Sequence, residues 1–98
     1  MTINQVLDHD KMTLALEGRL DTTTAPLLEE KLKAAEEGVN ELVIDFEKLE
    51  YVSSAGLRVL LSAQKMMNKR GGMTIRNVCT DIMEVFEITG FVDILTIE

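Results

Sequence analysis

Two adjacent serines, Ser53 and Ser54, stand where an apolar run gives way to a helical pattern, in LEYVSSAGLRVLL over residues 49–61. A hydroxyl at such a point can attack a substrate, cap the helix, or receive a group from another protein. The first use requires a base for the hydroxyl proton, and a serine on a nucleophile elbow sits in Gly-x-Ser-x-Gly. Ser54 has Val52 two residues before it, and the sole histidine, His9, falls in a turn where a solvated role is expected. Phosphate-cradling loops are absent as well: no Gly-x-x-x-x-Gly-Lys or Gly-x-Gly-x-x-Gly occurs, and Gly71 and Gly72 follow a helical pattern instead of preceding one. With Cys79 the only cysteine and the carboxylates scattered over helix faces, no spacing suits a metal. The residues therefore predict no enzyme, no catalytic residue, no cofactor and no metal site.

The cap remains. Ser53 or Ser54 is expected as the N-cap of a helix over 54–70, its oxygen accepting an orphan backbone N–H, a contribution of about 1 kcal/mol. A cap at the carboxyl end of a parallel strand is also where open α/β sheets place functional groups, so cap and site are compatible.

The elements that position this corner follow from periodicity. Segments 2–7 and 12–17 flank the polar DHDK, and Met12, Leu14 and Leu16 alternate with Thr13, Ala15 and Glu17, which predicts a β-hairpin. A helix follows, with Ala25, Leu28, Leu32 and Ala35 in one stripe and Glu29, Glu30, Lys33, Glu36 and Glu37 away from it. Asp21 or a following Thr caps its start, Pro26 suits its first turn and Gly38 ends it.

The unbroken Leu42, Val43 and Ile44 predict a central strand over 41–46. In the helix over 54–70, Leu57, Leu60, Leu61, Ala63 and Met67 form the apolar face and Arg58, Ser62, Lys65 and Lys69 lie opposite. Residues 73–78 read as a strand, 80–89 as a short amphipathic helix stopped by Gly90, and 92–97 as a last strand. The order β-β-α-β-α-β-α-β implies right-handed crossovers and an α/β fold: one mostly parallel sheet of about five strands, an antiparallel first edge strand, and packed helices.

Whole-chain properties bound the function. The 98 residues suit one domain, 1–98, and 46% hydrophobic against 28% charged residues is a globular balance. The formal net charge of −7 argues against nucleic-acid binding and favours a basic patch on a protein partner. No apolar run approaches the roughly 20 residues that cross a bilayer, and a single cysteine forms no internal disulfide, so no membrane span and a cytoplasmic location are expected.

The stretch DFEKLEYVSSAGLRVLLSAQKM, 45–66, resembles the signature of STAS domains of the anti-sigma-factor antagonist family. There a strand ending in Asp leads to an aromatic residue, an apolar residue and Asp-Ser-Ser/Thr-Gly-Leu opening a helix. Asp45, Tyr51, Val52, Ser54, Gly56 and Leu57 fall on that pattern. Gly18, Leu20 and Asp21 resemble the family's Gly-x-Leu-Asp segment, and VFEITGFVDIL, 85–95, its final helix, turn and strand.

The resemblance implies an anti-sigma-factor antagonist. Such a protein binds an anti-sigma factor that is also a serine kinase, frees the sigma factor, is switched off by phosphorylation, and is reset by a serine phosphatase. By position the phosphorylated serine is Ser54, with Ser53 as a competing acceptor. The resemblance places Asp21, Thr22, Ser53, Ser54, Ala55, Gly56, Leu57 and Arg58 near the partner surface and implies a monomer when free. Two positions depart from the pattern: Ser53 stands where Asp is usual, and Ala55 where Ser or Thr is usual. The alternative reading is a STAS interaction module that is not phosphorylated, a scaffold or a transporter-associated subunit, whose two serines only cap the helix.

Overall fold

A computed structural model describes residues 1–35 and 37–98. Strands β1 (Thr2–Asp8) and β2 (Lys11–Leu20) form the expected hairpin, turning through His9, whose φ is 57°. Helix α1 (Ala25–Ala34) crosses to β3 (Glu41–Val52), α2 (Ser54–Asn68) to β4 (Met73–Arg76), and α3 (Thr80–Thr89) follows. The sheet order is β1-β2-β3-β4, with β1 antiparallel to β2 and the remaining pairs parallel.

One face of the sheet and all three helices share a single core. Met12, Leu14 and Leu16 of β2, Leu42, Ile44 and Phe46 of β3, and Met73 and Ile75 of β4 meet the helix stripes there. The stripe of α1 is buried as its spacing requires, at Ala25, Leu28 and Leu32 with Ala35 just beyond its end. Helix α2 buries Leu57, Leu60, Ala63 and Met67 together with Val59, and α3 contributes Ile82 and Phe86. The Phe46 and Phe86 rings lie 6.3 Å apart, which fastens α3 to the sheet. Glu36, assigned above to the polar side of the first helix, lies outside the described residues.

Strand β2 runs beyond its expected 12–17 and β4 stops at Arg76 instead of 78, but two elements differ more. The strand assigned to 41–46 runs on to Val52, because β3 carries two bulges. Register passes from Ala15↔Asp45 to Glu17↔Lys48, and from Gly18↔Leu49 to Arg19↔Tyr51, so β3 adds one residue at each step. The bulges let Phe46, Leu49 and Val52, three residues apart, all face the core.

The strand expected over 92–97 does not form. Gly90, at φ 80°, turns the chain into a 3₁₀ helix, Phe91–Asp93, which uses the residues a strand would need. What reaches the sheet is one parallel bridge, Ile75↔Ile97, in which Ile75 N–H donates to Thr96 O at 2.9 Å and Glu98 N–H to Ile75 O at 2.9 Å. Four strands and this bridge replace the predicted five strands. Buried Gln64 on α2 secures the same tail, accepting from Thr96 N–H at 3.3 Å and donating to Asn68 at 2.8 Å.

Candidate functional site

The bulged end of β3 delivers Ser53 and Ser54 beside the end of β2. Leu20 pairs with Val52, and Ser53 N–H donates to Leu20 O at 2.8 Å, which pins the corner to the residue before Asp21. Gly56 lets α2 approach that closely: a β-carbon there would stand 2.7 Å from Leu20 Cγ and 3.1 Å from Leu20 O.

The two serines then take separate roles. Ser53 is the N-cap, with extended backbone, and its Oγ accepts from Gly56 N–H at 3.4 Å, a long bond. Its carbonyl accepts the first intrahelical bond, from Leu57 N–H at 2.9 Å. Ser54 is the first helical residue; its side chain is exposed, and its hydroxyl has no partner among the described residues. No acidic residue occupies the first turn of α2, so no carboxylate of that turn offsets its positive dipole end.

Asp21 begins the adjoining turn. Its carboxylate accepts from the Thr23 hydroxyl at 2.7 Å, Thr23 N–H at 3.0 Å and Thr24 N–H at 3.2 Å. The Thr23 hydroxyl bond holds the Asp21 carboxyl below its ordinary value; partial burial opposes it, and the Thr23 and Thr24 N–H groups add to it. Thr24 is the N-cap residue of α1, yet its hydroxyl turns back to Arg19 O at 2.7 Å and accepts from Asp21 N–H at 2.8 Å. Asp21 and the threonines after it thus serve a closed loop, Arg19 to Thr24, and not a simple helix cap.

The remaining candidate positions divide by exposure. Thr22 and Arg58 are exposed, Ala55 is half-buried, and Gly56 and Leu57 are buried, Leu57 pointing into the core at 8% exposure. Asp21, Thr22, Ser53, Ser54 and Arg58 therefore offer the side-chain chemistry of the corner, while Gly56 and Leu57 shape it.

Arg19 went unassigned from the sequence, and Tyr51 was matched only as the pattern's aromatic residue. Arg19 stacks over the Tyr51 ring with its guanidinium carbon 4.2 Å from the centroid, and its Nε lies 3.8 Å from Asp21 Oδ2. For Arg19 the one available signal was the x position of Gly-x-Leu-Asp, where no particular side chain is demanded.

Asp45, matched above to the end of a strand, lies inside β3. It accepts from Asn77 Nδ2 at 2.9 Å and from Glu47 N–H at 3.0 Å, linking β3 to the turn after β4. Burial raises its carboxyl, but these two bonds and the Arg76 cation outweigh that and leave it below its ordinary value. Its place is on the opposite side of the sheet, in the cross-strand row Ala15, Asp45, Arg76.

Among the described residues no group of three or more His, Cys, Asp or Glu side chains could hold a metal, and no helix is long and apolar enough to cross a membrane. His9 is exposed in the hairpin turn, its Nδ1 2.8 Å from Asp8 Oδ1, far along the chain from the serines.

Comparison with known proteins agrees with this architecture. BtrV of Bordetella bronchiseptica is 37% identical over 91 residues, covering 90% of this chain and 78% of its own. The anti-sigma-B factor antagonist of Bacillus subtilis is 35% identical over 91 residues, covering 92% of this chain and 84% of its own. Solved structures of the anti-sigma factor antagonist SpoIIAA, unphosphorylated and phosphorylated, match the fold with TM-scores of 0.84 and 0.77 at 18% identity. Each covers 99% of this chain, with 88% and 91% of the SpoIIAA chains matched. The STAS domain matches residues 2–98, and the chain belongs to the STAS domain family.

Proposed function

We propose that this chain is an anti-sigma-factor antagonist: it binds an anti-sigma factor that is also a serine kinase, thereby releasing a sigma factor, and is switched off by phosphorylation of Ser54. The name of the Bacillus subtilis relative supports the role. The observation that carries the site is the division between the serines, Ser53 committed to Gly56 N–H and Ser54 exposed and unpartnered among the described residues. The partner surface comprises Asp21, Thr22, Ser53, Ser54 and Arg58, shaped by Ala55, Gly56 and Leu57. The chain acts as ligand and substrate and supplies no catalytic group.

In the phosphorylation step the Ser54 oxygen bonds to the γ-phosphorus of ATP, ADP leaves, and the hydroxyl proton passes to a base on the kinase. The product carries about −1.5 to −2 charges at pH 7. The fold tolerates them, since free N–H groups and the macrodipole at the start of α2 favour an anion. The interface does not. Burying that charge against a surface shaped for a hydroxyl costs at least ~3 kcal/mol, enough to weaken binding about a hundredfold. A serine phosphatase would restore the hydroxyl, and the free chain is a monomer in this scheme.

The test is intact-mass and peptide mass spectrometry after incubation with ATP and the serine kinase encoded nearest the gene. Wild type and Ser53→Ala should gain one phosphate and Ser54→Ala none. A phosphate retained in Ser54→Ala would refute the assignment. Stable binding to the kinase with no phosphate would favour the unmodified STAS module.

A further inference from the structure

The net charge of −7 conceals a segregated distribution. Between Tyr51 and Thr80 lie five of the chain's 10 basic residues and none of its 17 acidic ones, whereas Asn77 to Glu98 holds five acidic residues and no basic one. The first segment contains α2, the helix that Ser54 begins.

At about 100° per residue, Ser54, Arg58, Ser62, Lys65 and the C-cap residue Lys69 fall within about 40° of one line along α2. At about 1.5 Å per residue that line runs about 22 Å. All five residues are exposed. Arg58, Lys65 and Lys69 have no ion pair among the described residues. Beside the line, between α1 and α2, runs a groove of about 290 Å³ with an apolar floor of Leu32, Val59, Ala63 and Met66, walled by Glu29 and Lys33.

We propose that this basic line and the groove beside it form the docking track for an acidic amphipathic segment of the kinase partner. Its carboxylates lie along Arg58, Lys65 and Lys69, and its apolar side chains enter the groove. The inference rests on the anti-sigma-factor-antagonist reading and names the chemistry of the surface that Ser54 meets. Charge complementarity selects the occupant: a positive strip one residue wide suits a single acidic segment. The surrounding excess of carboxylates repels an extended polyanion such as duplex DNA or an anionic bilayer.

The track also gives the phosphate a longer reach than its own contact. Phosphorylated Ser54 would stand at the head of the line, repelling the first carboxylates of the bound segment. It would also pair with Arg58, four residues on and on the same helix face, removing one of the three cations from the track.

The test is calorimetric titration of the kinase encoded nearest the gene with wild type, Lys65→Gln/Lys69→Gln, and a control pair Lys11→Gln/Lys48→Gln, at low and high salt. All four lysines are exposed, and circular dichroism melts check that each variant folds. The Lys65/Lys69 variant should bind about tenfold more weakly at low salt and show a flatter salt dependence, with the control pair unchanged.

If wild type binds and the Lys65/Lys69 variant binds equally well, the track is overturned while the function stands. If wild type does not bind the kinase, the function reading falls and the track with it. Lysine-dependent binding to phosphatidylserine vesicles or duplex DNA, with kinase affinity unaltered, would also overturn it. So would lysine-dependent self-association on sedimentation, since that would make the acidic α3 of a second copy the occupant.

Discussion

An N-cap serine commits its side-chain oxygen to the helix it begins, and here Ser53 does so at 3.4 Å while Ser54 leaves its hydroxyl to solvent. Replacing them should therefore have different consequences. Ser53→Ala should lower stability by about 0.5–1 kcal/mol, the low end for a lost cap because the bond is long, and Ser54→Ala should leave it within about 0.5 kcal/mol of wild type, both read from urea midpoints. The sequence placed a cap at this pair without choosing between them, since adjacent residues of one type give the same local pattern. The choice follows from the backbone, extended at Ser53 and helical from Ser54.

The carboxylates make a separate prediction. Asp21 and Asp45 are both held below their ordinary value of 3.8 in the folded chain, by the Thr23 hydroxyl in one case and, against burial, by Asn77, Glu47 N–H and Arg76 in the other. A depressed folded value means that the unfolded chain takes up protons first as pH falls. Their stabilisation is thus complete above about pH 5 and lost progressively as pH drops through the unfolded and then the folded values. Urea midpoints measured against pH should fall below that point, and the fall should be shallower in Asp21→Asn/Asp45→Asn. Equal slopes in the two proteins would contradict these hydrogen bonds.

At the scale of elements, legibility followed how well each segment keeps its period. Helix α3 spans Thr80–Thr89 as read, because an apolar stripe and the left-handed Gly90 mark it without competition. The second half of β3 was hidden because its bulges change the inward spacing from two residues to three, at Phe46, Leu49 and Val52. Counting by twos from Phe46 would turn Lys48 inward and Leu49 outward; the bulge reverses that. Leu49→Ala should cost about 2–4 kcal/mol and Lys48→Ala less than about 0.5 kcal/mol in thermal or urea unfolding. The C-terminal segment misled in the opposite direction. Its alternating Val92, Ile94 and Thr96 look like a strand, but the turn set by Gly90 delays its arrival at β4 until Ile97.

For the whole molecule, the crossovers and sheet order follow from the alternation of elements, and the serine corner follows from that order. What composition could not display was the arrangement of charge. A net −7 suggests an acidic ligand seeking a basic partner, yet α2 and its C-cap present Arg58, Lys65 and Lys69 along the face that Ser54 heads. The spacing of Arg58, Ser62, Lys65 and Lys69 opposite the apolar stripe already marked that face in the sequence, and the packed structure leaves all four exposed. A phosphate placed at that corner acts at the positive end of α2 and beside the one helix that lacks acidic residues, so it is accommodated by the fold and felt by whatever docks there.

The most direct measurement is the affinity of the kinase for the unmodified chain and for the chain phosphorylated on Ser54, with circular dichroism confirming that both are folded. Phosphorylation of Ser54 should weaken binding at least about a hundredfold and leave the secondary structure unchanged. Equal affinities, or weaker binding that accompanies unfolding, would contradict a switch that works at the interface.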